Sequence, residues 1–223
     1  MRETERALEE TRRSPSHDDR VTWPAWQEAA TDAWLVRHPE DSWARRPPPG
    51  HRPTVEEIRN RAGRLAGAKD GLWPTWRLER DSPKRTVAQA QVGFLHEQLI
   101  GLYGPIHEAL SAVSAGTDSA ADVETLTRFL EADIYCDQSG YTTEQVIQVL
   151  KRAPLTPAFE RRLRAVVLVA VDGYDRREFR FFGRLARHVD DPELRDQLEA
   201  RLEDPSSRTR RHARWILEVL AQS

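Results

Sequence analysis

Apolar residues recur every three or four positions through the last third of the chain. They fall into four consecutive segments between residues 155 and 221. The members are Phe159, Leu163, Val166, Val167 and Ala170; then Phe179, Phe182, Leu185, Ala186 and Val189; then Leu194, Leu198 and Leu202; and finally Ala213, Ile216, Leu217 and Leu220. This spacing places each group on one face of a helix. Because the connections between the segments are short, the four predicted helices should pack antiparallel to their neighbours.

Three of these segments are preceded by a polar residue followed by proline: Thr156-Pro157, Asp191-Pro192 and Asp204-Pro205. A short polar side chain accepts a hydrogen bond from the free N–H groups of a new helix. Proline is tolerated in the first helical position because its missing N–H would be unpaired there anyway. Each dipeptide therefore predicts a helix start.

Helical signals also occur earlier in the chain. Thr54 and Glu57 have the spacing of a capping box, and Thr142 with Gln145 repeats it, with Tyr141 and Val146 placed as a hydrophobic staple. A helix that starts near residue 87 should break at Gly104-Pro105. Alternation with a period of two is nowhere sustained, so the predicted fold class is all-α.

The segment Asp191–Arg195 and the segment Arg208–Leu220 resemble the HEAT-like helical repeats of bacteria. In those repeats one helix starts after Asp-Pro and its partner carries an Arg-Ala-x-x-x-Leu rhythm. The resemblance covers about residues 122–221. It implies an irregular stack of antiparallel helix pairs, with an irregular helical bundle as the alternative because the segments differ in length.

Tryptophan and proline set the N-terminal part of the chain apart. Six of the seven tryptophans precede residue 77, in a stretch with few aliphatic residues. We expect a disordered tail (1–20), a Trp/Pro-rich arm with short helices (21–85) and a helical-repeat domain (86–223). Because such an arm lacks a core of its own, its tryptophans should dock on the helical domain as an extended clasp, or on a partner. The predicted anchors are Trp23, Trp26, Trp34, Trp73 and Trp76.

Composition narrows the class of protein. The chain has 223 residues, a net charge of −2 and one cysteine, Cys136, so it cannot form an internal disulfide. No apolar run approaches the length of a membrane helix, and residues 1–20 lack the apolar region of a secretory signal. A soluble cytoplasmic protein is expected. Arginine supplies 31 of the 34 basic residues, which is typical of a GC-rich bacterial genome.

Candidate chemistry is sparse. The sequence contains no recognised nucleophile, phosphate-loop or dinucleotide motif, so an enzyme is not favoured and no cofactor is expected. The nearest approach to a metal site pairs His96-Glu97 with His107-Glu108, without a recognised ligand spacing, and no metal is predicted. Asp172 or Asp175 beside Tyr174 is the only candidate for a base-processing acid.

Arginines form two stripes at helical spacing: Arg177, Arg180, Arg184 and Arg187, and then Arg208, Arg211 and Arg214. On stacked helices such stripes would form a ridge that binds phosphates or a partner. The alternative is a solvated face with local ion pairs. The carboxylates available for such pairs are Asp172, Asp175, Glu178, Glu199 and Glu203.

Charge is also distributed unevenly along the chain. Residues 88–150 carry one basic and nine acidic residues, whereas residues 151–223 carry 16 basic and 12 acidic ones. An acidic segment beside a basic one permits self-association or two separate partner surfaces. The leading prediction is a non-enzymatic adaptor or scaffold that binds another protein. The alternative is a nucleic-acid-binding HEAT-like protein that uses its arginine-lined face, with or without base-processing activity.

Overall fold

The computed structural model describes residues 51–72, 74, 95, 101, 103–117, 119–135 and 139–222. All of them belong to one compact unit, Pro48–Ser223. Within these ranges the backbone forms helices, turns and connections and no β-strand. The all-α prediction is therefore confirmed for the described part of the chain.

The helices are numbered here in chain order. They are α1 (Val55–Leu72), α2 (103–115), α3 (Ala120–Ala132), α4 (Ser139–Leu150), α5 (Pro157–Asp172), α6 (Phe179–His188), α7 (Pro192–Ala200) and α8 (Ser207–Ala221), with a short 3₁₀ turn at Arg201–Glu203 between α7 and α8.

The helices from α3 onward pack in a regular order. Within each successive pair, α3 contacts α4, α5 contacts α6, and α7 contacts α8. Each helix also contacts the helix two places along the chain: α3 meets α5, α5 meets α7, α4 meets α6, and α6 meets α8. The predicted stripes supply the core between them, since Leu163, Val167, Leu185, Leu198 and Ile216 are buried.

Helix α1 packs against α3 although it lies in the stretch predicted to be an arm. Ile58 and Leu65 are buried. The Arg52 guanidinium donates to the Ala121 carbonyl at 2.7 Å. One turn into α1, Arg59 Nε donates to the Ala132 carbonyl at 3.2 Å. These two arginines therefore attach the α1 region to both ends of α3.

Two of the three predicted proline-type helix starts are confirmed. Thr156 Oγ1 accepts from the Phe159 amide at 3.5 Å, and Asp191 Oδ1 accepts from the Leu194 amide at 2.7 Å. The third is wrong, because α8 begins at Ser207 with Ser206 as its cap. Asp204 instead accepts from the Ser206 amide at 2.8 Å, which forms a turn before the helix.

Two further sequence predictions are wrong in position. Helix α4 starts at Ser139, so Thr142 and Tyr141 lie inside it and do not form its cap and staple. Tyr141 is exposed, whereas Val146 is buried. Gly104 and Pro105 are themselves helical, so no break occurs at these two residues.

None of the described helices combines the length and the apolar character that crossing a membrane requires.

Candidate nucleic-acid interface

Helix α6 presents basic residues on one side and a core on the other. Phe181, Phe182, Leu185 and Ala186 are buried against α4, α5 and α8. The helical repeat then leaves Arg180, Arg184 and Arg187 exposed on the opposite side. Arg177 is exposed in the turn that leads into the helix. The first predicted stripe therefore forms one continuous surface, called here the α6 arginine face (Arg177, Arg180, Arg184, Arg187).

The guanidinium groups of the α6 arginine face lie against aromatic rings and a carbonyl. Arg177 Cζ is 4.1 Å from the centroid of the Tyr141 ring. Arg180 and Arg184 lie 4.9 Å and 5.1 Å from the centroid of Phe181. Arg187 Nε donates to the Val219 carbonyl at 3.0 Å. Each contact positions the side chain without neutralising its positive charge, because neither an aromatic ring nor a carbonyl carries a formal negative charge.

Among the described residues, no carboxylate pairs with any arginine of this face. The acidic residues nearest in sequence are engaged elsewhere. Asp172 pairs with Arg201 at 2.8 Å. Asp175 accepts from Arg211 at 2.6 Å and from His212 at 2.8 Å, and these hydrogen bonds hold its pKa below the ordinary value. These two aspartates are the candidates for a base-processing acid. Both are paired with other side chains, so neither is left unpaired beside the arginine face.

Glu178 is a further acidic residue beside the face, and it is turned inward. Its side chain is buried, with Oε2 about 3.0 Å from the position that a Cβ on Gly140 would occupy. Gly140 lies in the first turn of α4, where the helix dipole favours a negative charge. The Glu178 carboxylate therefore lies against the first turn of α4 and forms no ion pair with Arg177 or Arg180 among the described residues.

The second predicted stripe lies on α8, beside α6. Arg208, Arg211 and Arg214 are exposed, but only Arg211 is ion-paired within the described residues. Phe179 stacks on His212 with ring centroids 4.1 Å apart, and Arg187 reaches Val219. The residue numbers of these two contacts increase together along both helices, so α6 and α8 run parallel. The two arginine stripes therefore lie on neighbouring parallel helices.

A shallow depression lies at the C-terminal end of the α6 arginine face. Its volume is about 260 Å³, and its lining consists of Lys151, Arg184, Arg187 and His188. Lys151 follows α4 directly, so the depression joins the ends of α4 and α6. The lining contains one lysine and two arginines, so an anion in this depression would meet three cationic side chains.

The layer formed by α3, α5 and α7 has the opposite character. Arg162 of α5 bridges Glu124 and Glu131 of α3, donating to Glu131 Oε1 at 2.6 Å and to Glu124. Arg164 pairs with Asp191, the cap of α7, at 2.8 Å. Ion pairs therefore join these helices to one another, whereas the arginines of α6 make none within the described residues.

Three exposed tyrosines near Arg177 were not among the site residues predicted from the sequence. Tyr135 is 61% exposed, Tyr141 is 59% exposed and Tyr174 is 39% exposed. Tyr135 and Tyr174 meet edge to face with centroids 4.9 Å apart. Tyr135 and Tyr174 lie in connections, where apolar periodicity carries no information, and the signal for Tyr141 was misread as a staple.

Other candidates have different outcomes. The predicted arm anchors Trp23, Trp26, Trp34, Trp73 and Trp76 lie outside the described residues, as do Cys136 and the pair His96-Glu97. His107 and Glu108 are exposed on α2. The described residues contain no cluster of three or more acidic, histidine or cysteine side chains able to hold a metal ion.

Comparison of the chain with protein-family models, with curated proteins and with solved structures gave no match.

Proposed function

We propose that the chain is a non-enzymatic helical-repeat protein that binds nucleic acid through the α6 arginine face. The repeat interpretation is supported by the packing order, in which helices of the pairs α3/α4, α5/α6 and α7/α8 contact their equivalents in the next pair. The parallel course of α6 and α8 agrees with it. HEAT-like stacks present one layer of helices as a binding surface. Here that layer is α4, α6 and α8.

The observation that carries the proposal is that, within the described residues, no carboxylate pairs with the α6 arginine face, whereas several other arginines are ion-paired. Arg162, Arg164, Arg176, Arg195 and Arg201 each meet a carboxylate within 4 Å. Uncompensated like charges on one helix repel one another, and an anionic ligand removes that cost. A nucleic-acid backbone supplies regularly spaced phosphates. Arginine binds phosphate through several N–H groups, so such a backbone fits the spaced arginines of this face.

Salt-dependent binding of a labelled DNA duplex tests the proposal. Each neutralised phosphate contributes about −0.9 to the slope of log affinity against log salt concentration. The double variant Arg180→Ala/Arg184→Ala should weaken binding and flatten the slope by about two. The matched control is Arg161→Ala/Arg195→Ala, which changes the net charge equally on α5 and α7, outside the face. If the control flattens the slope as much as the test variant, only general charge is acting. If wild type binds neither duplex nor single-stranded nucleic acid at low salt, the proposal is wrong.

A protein-binding adaptor is the second candidate function. The exposed tyrosines beside Arg177 favour it, because tyrosine and arginine are enriched among the residues that dominate protein interfaces. This candidate becomes the leading one if the chain shows no salt-dependent affinity for nucleic acid. Photo-crosslinking from position 141 should then capture the same protein repeatedly. The same crosslinker at exposed Val169 of α5 provides the control surface.

A further inference from the structure

The exposed tyrosines form one cluster with the first arginine of the α6 face. It is called here the tyrosine cluster (Tyr135, Tyr141, Tyr174). The large apolar side chains exposed in the described part of the chain are these three and Val169. Tyr135 and Tyr174 are in contact, and Tyr141 is connected to them through the consecutive residues Arg176 and Arg177, which lie over Tyr174 and Tyr141 respectively. Such a concentration of exposed aromatic surface indicates a binding function.

Buried contacts hold this cluster in position. Arg176, whose side chain is 2% exposed, pairs with Asp133 Oδ1 at 2.7 Å. Its guanidinium lies 5.3 Å from the centroid of Tyr174 and 5.2 Å from that of Phe182. Tyr174 in turn supports Tyr135 edge to face. The next residue, Arg177, covers Tyr141. The rings are therefore ordered before any ligand arrives.

The cluster and the α6 arginine face share Arg177. A ligand that follows the arginines from Arg187 back to Arg177 reaches the tyrosines at the end of its path. The α6 helix rises about 1.5 Å per residue, so the path from Arg187 to Arg177 is on the order of 15 Å. This length accommodates a short run of nucleotides and joins a phosphate-binding track to an aromatic platform.

We propose that the ligand of this surface is single-stranded nucleic acid, with its phosphates on the α6 arginine face and its unstacked bases on the tyrosine cluster. The inference rests on the proposed function and names the substrate class. Base faces are buried within a duplex, so exposed aromatic rings add affinity only when bases are free. The Arg177 guanidinium lies over the Tyr141 ring and also offers a planar surface on which a base stacks.

The protonation state of Tyr174 agrees with an anionic ligand. Burial raises the pKa of Tyr174, and the Asp133, Tyr135 and Glu178 side chains act in the same direction against the lowering effect of Arg176. The phenol therefore stays neutral at physiological pH and does not repel phosphate.

Three labelled ligands test the inference in one binding assay. The first is an oligothymidine strand of about 12 nucleotides, a length within the range of known single-strand sites. The second is a duplex of the same length, and the third is an abasic deoxyribose-phosphate strand of the same length. Wild-type protein should bind oligothymidine more tightly than both others at equal salt. The variant Tyr135→Ala/Tyr141→Ala should lose about 5- to 150-fold in oligothymidine affinity for each stacked base, with duplex and abasic affinities unchanged.

The conservative variant Tyr135→Phe/Tyr141→Phe serves as the matched control. It keeps both rings, so its preference for oligothymidine should equal that of wild type. Both tyrosines are exposed, and circular dichroism should show folded protein for every variant. Equal wild-type affinity for duplex and single strand, or an alanine variant that weakens all three ligands alike, overturns the inference and leaves the proposed function standing. Absence of binding to every ligand overturns both.

Discussion

The ring of Trp215 lies directly over Gly183, so that a Cβ atom at position 183 would be 2.6 Å from Cζ3 of that ring. Gly183 is in the middle of α6 and Trp215 is in α8, so this contact sets how closely the two helices approach. Replacement Gly183→Ala should therefore destabilise the protein. Overpacking costs about 1–3 kcal/mol, and the better helix propensity of alanine offsets up to about 1 kcal/mol of it. Urea unfolding followed by circular dichroism measures the difference.

Gly67→Ala in α1 is the control for this prediction. A Cβ at position 67 meets nothing within 4 Å, so this replacement should stabilise by about 0.5–1 kcal/mol through helix propensity. Introducing Gly183→Ala into a Trp215→Ala background should cost less than in wild type, because the obstructing ring is gone. An equal cost in both backgrounds would show that the contact is not the cause.

Asp133→Asn should destabilise the protein more than an ordinary surface replacement. Asp133 carries the charge that compensates the buried Arg176 guanidinium, whose Nε and Nη2 have no hydrogen-bond partner among the described residues. Removing the charged partner of a buried ion costs about 3 kcal/mol. Asparagine tolerates the positive φ of 46° at this position, so the backbone is not the source of the loss. Thermal unfolding checks the prediction, and a change below about 0.5 kcal/mol contradicts it.

The Glu124 carboxylate should make stability fall in acid. Hydrogen bonds from Arg162, followed by those from Arg128, hold the pKa of Glu124 below its ordinary 4.5. In acid the unfolded chain therefore binds a proton at this group before the folded protein does. The stabilisation is complete above about pH 4.5 and is lost as the pH falls through the folded pKa.

A pH series of urea unfolding curves tests this sign. Glu124→Gln should be less stable than wild type at pH 7 and should lose less additional stability below pH 4.5. Asp196→Asn is the control, because Asp196 is exposed on α7 and forms no ion pair within the described residues. Its stability should follow the wild-type curve. A Glu124→Gln curve parallel to wild type would refute the assignment.

The docking of the arm tryptophans stays a prediction, and tryptophan fluorescence tests it. If Trp23, Trp26, Trp34, Trp73 and Trp76 insert into apolar surface, emission should be blue-shifted and resist quenching by iodide. The fragment 48–223 retains α1 and should then be less stable than the full chain. Red-shifted, readily quenched emission with an equally stable fragment would instead make the arm a partner-binding segment.

Sequence signals predicted helix starts correctly where a capping side chain hydrogen-bonds to the backbone of its own helix. The Thr54–Glu57 capping box forms as expected, with the Glu57 amide donating to Thr54 Oγ1 at 3.1 Å and the Thr54 amide donating to Glu57 Oε2 at 2.8 Å. The same reasoning failed at Asp204, where a competing turn with Ser206 has similar local chemistry. Sequence spacing does not distinguish these two uses of aspartate.

The candidate surface could be predicted only in part. Helical spacing brought Arg180, Arg184 and Arg187 to one side of α6, as expected. Asp175 is close to these arginines in sequence but does not neutralise them. It pairs with Arg211 and His212, which are more than 35 residues away in sequence. The tyrosine cluster depended in the same way on the distant pair Asp133 and Arg176. Tertiary contacts of this kind are invisible to periodicity, so the charge of the surface emerged only from the structure.

The aromatic contacts of Arg177, Arg180 and Arg184 also have a kinetic consequence. A lysine at these positions would keep the charge, so long-range attraction and the association rate constant should change little. Lysine would lose the planar stacking on Tyr141 and Phe181, and its freely rotating ammonium would have to be ordered in the complex. An all-lysine face should thus capture its ligand as often as the arginine face and release it sooner.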